Sequence, residues 1–110
     1  MTTKPVEFHG SALADLRKFP ASTGRDAGYE LDKVQNGRDP HDWKPMTTIG
    51  PGAREIRIQD ADGAYRVIYV AKLVDAIHVP HCFQKKTRQT SDKDIQLARK
   101  RFKELLKERT

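Results

Sequence analysis

The chain has 110 residues, 36% hydrophobic and 33% charged, with a formal net charge of +6 and a pI near 9.6. This length and apolar fraction predict one domain over residues 1–110 with one modest core, and they exclude a disordered chain. The positive charge predicts an acidic partner, nucleic acid first and an anionic membrane surface second. With no membrane-length apolar run and no signal-peptide core, we expect a cytoplasmic protein without a membrane span.

The cysteine and histidine content argues against disulfide and metal chemistry. A single cysteine, Cys82, excludes an intrachain disulfide and a multi-cysteine zinc site, and its apolar surroundings predict a buried small hydrophobe. The histidines at positions 9, 41 and 78 do not form metal-ligand spacing with His81. The sequence therefore predicts neither a metal nor another cofactor.

The first third of the chain predicts one strand and two helices. Hydrophobic residues at positions 6 and 8 indicate a short strand, and a short helix is expected over residues 11–17. A second helix is expected to begin at Pro20, because proline suits a first helical turn, and to end before Gly37.

Residues 38–52 are rich in turn signals, which disfavour a helix or a central strand. Trp43, within this stretch, is expected to be a packing residue rather than a platform for base stacking. From residue 54 the hydrophobic period becomes two, which predicts an antiparallel meander with a hairpin turn at residues 60–63. Strands are expected at residues 54–58, 65–71 and 76–82. Pro80 indicates an edge or a bulge near the end of the last one.

The last predicted element is an amphipathic helix over residues 91–108. Ser91 is a capping residue, and Asp94, three positions further on, makes a variant of the capping box. Apolar residues share one face of this helix, which is expected to cover the sheet or dock a partner.

Positive charge is concentrated in the last third of the chain. From Lys85 to Arg109 there are ten lysines and arginines against four acidic residues. Residues 83–90 follow the last predicted strand and place three cations in four positions, where they can hold and polarise a phosphate. Arg57 and Arg66 lie in the two preceding strands. The pattern favours presentation of rigid positive charge to RNA, and the alternative is a generic solvated basic surface.

Five short segments carry a family resemblance. They are KPM at 44–46, EIRI at 55–58, YRVIY at 65–69, FQKKT at 83–87, and DI followed by LA within 94–98. In this order they resemble the RelE/ParE toxin superfamily, and more closely its phage Gp49-like, HigB-type branch of toxins from type II toxin–antitoxin pairs.

The resemblance implies a small α+β domain with two N-terminal helices, an antiparallel sheet and a C-terminal helix. It also implies a metal-independent endoribonuclease, an mRNA interferase that cuts translated messages on the ribosome and so inhibits translation. The implied partners are the ribosome, mRNA and a cognate HigA-like antitoxin with a helix-turn-helix domain, which would form a hetero-oligomer with the toxin.

The resemblance also assigns candidate roles to the cations. Arg66 matches the strand arginine that contacts the scissile phosphate in RelE-type enzymes, and Arg57 matches a basic position on the adjacent strand. Lys85 or Lys86 matches the cation after the last strand. We expect the Arg66 guanidinium and one of these ammonium groups to converge on one concave spot. Further RNA contacts are expected from Arg54, Arg88, Lys93, Arg99, Lys100 and Lys103.

General acid–base catalysis is less well defined by the sequence. RelE-type enzymes often end in a reactive tyrosine, whereas this chain has none after position 69. Glu55 or His81 could act as the base, and a lysine desolvated among cations could act as acid or base.

Each candidate also has a structural interpretation. Arg57 could pair with a carboxylate of Glu55 or Asp60, and Arg66 could be an ordinary exposed strand arginine. The two lysines could anchor phosphate without chemistry, and the histidine could be purely structural. At the level of function, the alternatives are a ParE-like DNA gyrase inhibitor and a non-catalytic RNA-binding protein derived from a phage toxin.

Overall fold

A computed structural model describes residues 3–61 and 63–108. The elements in chain order are β1 (Val6–Phe8), α1 (Ala12–Arg17), α2 (Ala21–Gln35), β2 (Trp43–Pro45), β3 (Ala53–Asp60), β4 (Gly63–Val70), β5 (Ile77–Lys85) and α3 (Asp92–Glu108). The strands form one sheet in the order β1-β5-β4-β3-β2. The fold is mixed α/β, with a five-stranded sheet and a C-terminal helix.

The sheet is not purely antiparallel, which corrects one prediction. Strands β2 to β5 pair antiparallel, but β1 pairs parallel with β5. The chain leaves β1 through both N-terminal helices and returns to the far edge of the sheet. The meander then ends with β5 beside β1, and both strands run the same way.

A short strand also occurs where turns were expected. Residues 43–45 form β2, which pairs antiparallel with β3 at the edge of the sheet. An edge strand tolerates a proline because one side of its backbone needs no partner, and this explains how Pro45 can belong to it. The hairpin turn predicted at residues 60–63 includes Asp62, which lies outside the described residues.

Two apolar layers cover the two faces of the sheet. On one face α1 and α2 pack against Ile56, Ile58 and their neighbours in β4 and β5. On the other face Phe102 of α3 and Ile49 of the segment before β3 belong to a second apolar cluster. Alternation along β3 therefore sends Glu55 and Arg57, the neighbours of Ile56, toward the face that α3 covers.

The predicted irregularity at Pro80 is a β-bulge. Ile68 pairs with His81 whereas Val70 pairs with His78, so one residue of β4 faces two of β5. A bulge leaves one residue without ladder hydrogen bonds, which is where a proline fits.

The ends of the longer helices follow the sequence signals. The Oγ of Ser91 accepts a hydrogen bond from the backbone N–H of Asp94 at 3.2 Å, as a capping residue should. Gly37, just after α2, has φ of +80°, a conformation that glycine adopts at little cost. Across the described residues, no helix combines the length and the apolar character that crossing a membrane requires.

Candidate functional site

The candidate site lies on the α3 face of the sheet, near the end of β5. Strand pairing sets Arg57 opposite Arg66, and Arg66 opposite Phe83, so that these side chains form one row across three strands. Lys85 follows two residues after Phe83 and therefore belongs to the same face. The fold thus brings together Arg57, Arg66 and Lys85, three of the cations selected from the sequence.

Glu55 lies between the two arginines. Its side chain is 1% exposed, and its Oε1 lies 3.4 Å from Nε of Arg57 and 3.3 Å from Nε of Arg66. Like charges directly opposite each other on neighbouring strands repel, and a carboxylate between them offsets that repulsion. Arg57 therefore has the carboxylate partner that its structural interpretation anticipated, although its own side chain stays 35% exposed.

Arg66 is held more tightly than an ordinary strand arginine. The residue is 8% exposed, and its Nη1 donates a hydrogen bond to the carbonyl oxygen of Tyr65 at 3.0 Å. Its buried Nε makes no hydrogen bond within the described residues, so its approach to Glu55 is coulombic. Burying a charge without a partner destabilises the folded protein by roughly several kcal/mol. Arg66 and Glu55 therefore each stabilise the burial of the other.

Lys85 is electrostatically coupled to this cluster. Burial lowers the pKa of Lys85, the neighbouring Arg66 lowers it further, and Glu55 opposes both effects. Lys44 and Arg57 add to the repulsion. Lys44 comes from β2, where it pairs with Glu55 across the strands. Four cations therefore surround one carboxylate, which leaves a net positive charge for an anion to neutralise.

His81 forms a second polar group on the same face of β5. Its Nε2 lies 2.8 Å from Oδ1 of Asp94 on α3, and its ring stacks on Phe83 with centroids 4.9 Å apart. Because an ionised carboxylate can only accept, Asp94 fixes the proton on Nε2 and leaves Nδ1 with a lone pair. That Nδ1 is buried and makes no hydrogen bond among the described residues. A histidine oriented by a carboxylate is a common arrangement for a general base.

A cavity of about 150 Å³ opens where β5 turns toward α3. It is lined by Phe83, Gln84, Lys85, Lys86, Thr87, Ser91 and Asp94. Both lysines of the predicted cluster reach this concave surface, together with Asp94, the residue that orients His81. Arg66 is buried next to Glu55, and its charge influences this cavity by lowering the pKa of Lys85.

Arg54, one of the predicted RNA contacts, lies apart from this cluster. Strand alternation sends it to the opposite face from Glu55, where its guanidinium lies 4.1 Å from the centroid of the Trp43 ring and 3.1 Å from Oδ1 of Asp39. Trp43 is partly buried, and its ring packs against Arg54. The separation of Arg54 from the cluster follows from the period of two, which sends position 54 to the opposite face from positions 55 and 57.

The remaining predicted RNA contacts are exposed. Arg99, Lys100 and Lys103 lie along the solvent side of α3, where they line a shallow groove of about 390 Å³. Arg88 and Lys93 are exposed near the start of that helix. We call Arg99, Lys100, Lys103 and Lys107 the α3 stripe.

One family model matches this sequence, the model described as Phage derived protein Gp49-like (DUF891), over residues 14–103. The chain belongs to the Gp49-like family. This family of phage-derived proteins is commonly related to toxin–antitoxin systems. Among curated proteins and among solved structures, no significant match was found.

Sequence reasoning missed three contributors to the site of this Gp49-like protein. Lys44 was noted only as part of a family segment, and its role depends on the unpredicted strand β2. Asp94 was assigned to helix capping, and its side chain both accepts from the Ser91 hydroxyl at 2.7 Å and binds His81. Thr90, 3.5 Å from Oε2 of Glu55, carries no sequence signal.

Proposed function

We propose that this Gp49-like protein is a HigB-type toxin of a type II toxin–antitoxin system. Its activity would be ribosome-dependent, metal-independent cleavage of mRNA in the cytoplasm. The observation that carries the proposal is the cluster of Arg57, Arg66, Lys85 and Lys44 around the single carboxylate of Glu55. A net positive charge, held rigidly on neighbouring strands, is suited to stabilise a phosphate whose negative charge grows during the reaction.

In the proposed reaction the 2′-hydroxyl oxygen attacks the adjacent phosphorus and loses its proton to a base. The bond from phosphorus to the 5′-oxygen breaks, and that oxygen leaves with a proton. The products are a 2′,3′-cyclic phosphate and a free 5′-hydroxyl. No oxidant, metal or cofactor enters this balance.

The cations of the cluster differ in solvent exposure, and we assign their roles accordingly. Arg57, 35% exposed, and Lys85 can touch the phosphate directly. Arg66 is buried and supports them by orienting Glu55 and by lowering the pKa of Lys85. Arginine meets phosphate oxygens with a planar fork and stays protonated, so Arg57 suits the transition-state charge.

Proton transfer is assigned to Lys85 and to the pair of His81 and Asp94. A lysine with a lowered pKa exchanges its proton more readily near neutral pH, which suits protonation of the leaving oxygen. The free lone pair of His81 is on Nδ1, which is buried, so taking the 2′-hydroxyl proton would require a shift of the His81 ring toward the substrate. Glu55, at 1% exposed, is given a positioning role rather than that of a base.

The α3 stripe is proposed to bind ribosomal RNA. Its cations are exposed on a regular helix, and phosphate contacts of this kind position a protein without reading sequence. The proposed silencing partner is a HigA-like antitoxin with a helix-turn-helix domain, which would form a hetero-oligomer with the toxin.

The proposal is tested with purified translating ribosomes and a defined mRNA. Replacing Arg66 with lysine keeps the charge but loses the fork that reaches Glu55 and Tyr65. We expect Arg66→Lys to lower cleavage about 100-fold, the scale of a small misplacement of the groups that act on the phosphate, while ribosome binding persists. Arg25→Lys, an exposed change on α2, is the matched control and should cleave normally.

Other outcomes would favour the alternative functions. If induction triggers a DNA-damage response while translation continues, the protein is a ParE-like gyrase inhibitor. If the wild-type chain binds ribosomes but cuts no message and slows no growth, it is a non-catalytic RNA-binding protein. Full cleavage by Arg66→Lys would remove this arginine from the mechanism.

A further inference from the structure

A second polar cluster lies at the opposite edge of the sheet, where β1 meets β5. Their parallel pairing sets Glu7 opposite His78. Glu7 and His9 are two residues apart in sequence, which places both on the side of the sheet that His78 occupies. One ligand atom from each of these three residues lies within 4.8 Å of the others.

The distances within this cluster are close to those between atoms that bind one metal ion. Nε2 of His9 lies 2.9 Å from Nδ1 of His78, and Oε2 of Glu7 lies 3.6 Å from the same Nδ1. Two ligand atoms bound to one tetrahedral zinc ion at about 2.0–2.1 Å lie about 3.3 Å apart. Small side-chain shifts would bring all three atoms to that spacing.

The positions of the ring protons on His78 and His9 also favour a bound metal ion. Nε2 of His78 lies 3.3 Å from Oδ1 of Asp75, and a carboxylate there fixes the proton on Nε2. Nδ1 of His78 then presents a lone pair toward the Glu7 carboxylate, which is an acceptor as well. The N–H of His9 can donate a hydrogen bond to one of these two acceptors, whereas a metal ion can be bound by all three groups at once.

We propose that Glu7, His9 and His78 form a Zn²⁺ site, with water as the fourth ligand. Two histidines and one glutamate are a ligand set that zinc adopts in proteins. Asp75 holds the ring of His78 from behind, as carboxylates do for metal-bound histidines. The site joins the three-residue edge strand β1 to the long strand β5, and it is separate from the cluster proposed for RNA cleavage.

The sequence conceals this site because its ligands come from two distant strands. Histidines at positions 9 and 78 become neighbours only through the parallel pairing, which the sequence did not predict. His78 is 3% exposed and Glu7 is 55% exposed, so the site joins a buried ligand to one at the surface.

The test uses the full-length untagged protein, stripped with a chelator and titrated with ZnCl₂ by calorimetry. We expect one ion per chain and a higher thermal midpoint when zinc is bound, because a ligand that binds only the folded state stabilises it. His9→Gln and Glu7→Gln should each weaken binding at least about tenfold and abolish the stabilisation. Asp75→Asn, which changes a positioning residue, should weaken binding about 10–100-fold.

The control is His41→Gln, which removes an exposed histidine far from the cluster in sequence and should bind zinc normally. Titration with Co²⁺ should give the intense visible bands of tetrahedral coordination in the wild type but not in His9→Gln. The proposal is overturned if zinc does not bind, or if it binds equally to wild type, His9→Gln and Glu7→Gln. Cleavage of mRNA without zinc leaves this proposal intact, since the two functions are separate.

Discussion

The pKa of Lys85 depends directly on its interaction with the other cations of the site. Burial and the charge of Arg66 lower the pKa of Lys85, and Arg57 contributes in the same direction. Its ammonium group is therefore expected to lose its proton at a lower pH than an isolated lysine would. The contribution that belongs to the cluster is the repulsion from Arg66 and Arg57, which adds to the effect of burial.

Removing a neighbouring cation should raise the pKa of Lys85. We expect an upward shift in Arg57→Gln and a larger one in Arg66→Gln, because each variant removes a repulsive charge. The measurement is NMR titration of the labelled lysine side chain. Arg99→Gln, on the outer side of α3, is the control and should leave the titration unchanged. Equal titration curves in all four proteins would show that these groups do not share a site.

The burial of Cys82, which the sequence predicted, also determines how reactive its thiol is. It is buried in β5, as its apolar surroundings predicted, and burial raises the pKa of its thiol to about 12. The thiolate is the reactive form of cysteine, so a group held this far from ionisation is inert at neutral pH. Cys82 is accordingly a packing residue, and it is not a candidate nucleophile.

Among the elements, α3 depends on a close approach to the segment before β3. A Cβ built on Gly50 would lie 2.5 Å from the ring of Phe102, so only glycine lets this ring pack against the backbone. Phe102 is 3% exposed and belongs to the apolar cluster beneath α3. This contact helps to hold the helix over the face that carries the site.

Gly50→Ala should therefore destabilise the protein by about 1–3 kcal/mol, because the added methyl group overpacks a full core. The matched control is Gly24→Ala in α2, where nothing lies within 4 Å of the new Cβ. That change should stabilise the protein by up to about 1 kcal/mol, since alanine favours a helix. Denaturant unfolding measures both, and equal stabilities for the two variants would contradict the packing.

The sequence predicted the elements that have a strong period. Alternation around Ile56 and Ile58, and the apolar face of α3, located those elements to within a few residues. It did not predict β2 or the pairing of β1 with β5, because short edge strands have too few residues for a period. Arg57, Arg66 and Lys85 were selected from the sequence and Lys44 was not. The burial of Glu55 between the two arginines depends on cross-strand register, which one sequence does not specify.

At the scale of the whole molecule, two separate positive surfaces among the described residues have proposed roles. One is the cluster around Glu55, and the other is the α3 stripe on the outer side of the helix. The first is suited to one phosphate held rigidly. The second is suited to several phosphates met by mobile side chains, which is how proteins grip RNA without sequence preference.

Neutralising part of the α3 stripe should weaken ribosome binding without changing chemistry. The double variant Arg99→Gln/Lys103→Gln should bind less tightly and lower the salt slope by about 1.4–1.8, the release of two counterions. Its cleavage rate at saturation should equal that of the wild type. Arg17→Gln/Arg25→Gln, with the same charge change on α1 and α2, is the control. A lower rate at saturation would place the stripe in the reaction.

The decisive experiment is a double-mutant cycle on single-turnover mRNA cleavage at saturating toxin. If Arg57 and Lys85 act on one phosphate, Arg57→Gln and Lys85→Gln should each lower the rate about 100-fold. The double variant should then lose much less than the product of the two losses. Pairing Arg57→Gln with Lys103→Gln, from the α3 stripe, should show no such coupling. Losses that multiply, or cleavage that persists at full rate in the double variant, would contradict a shared phosphate site.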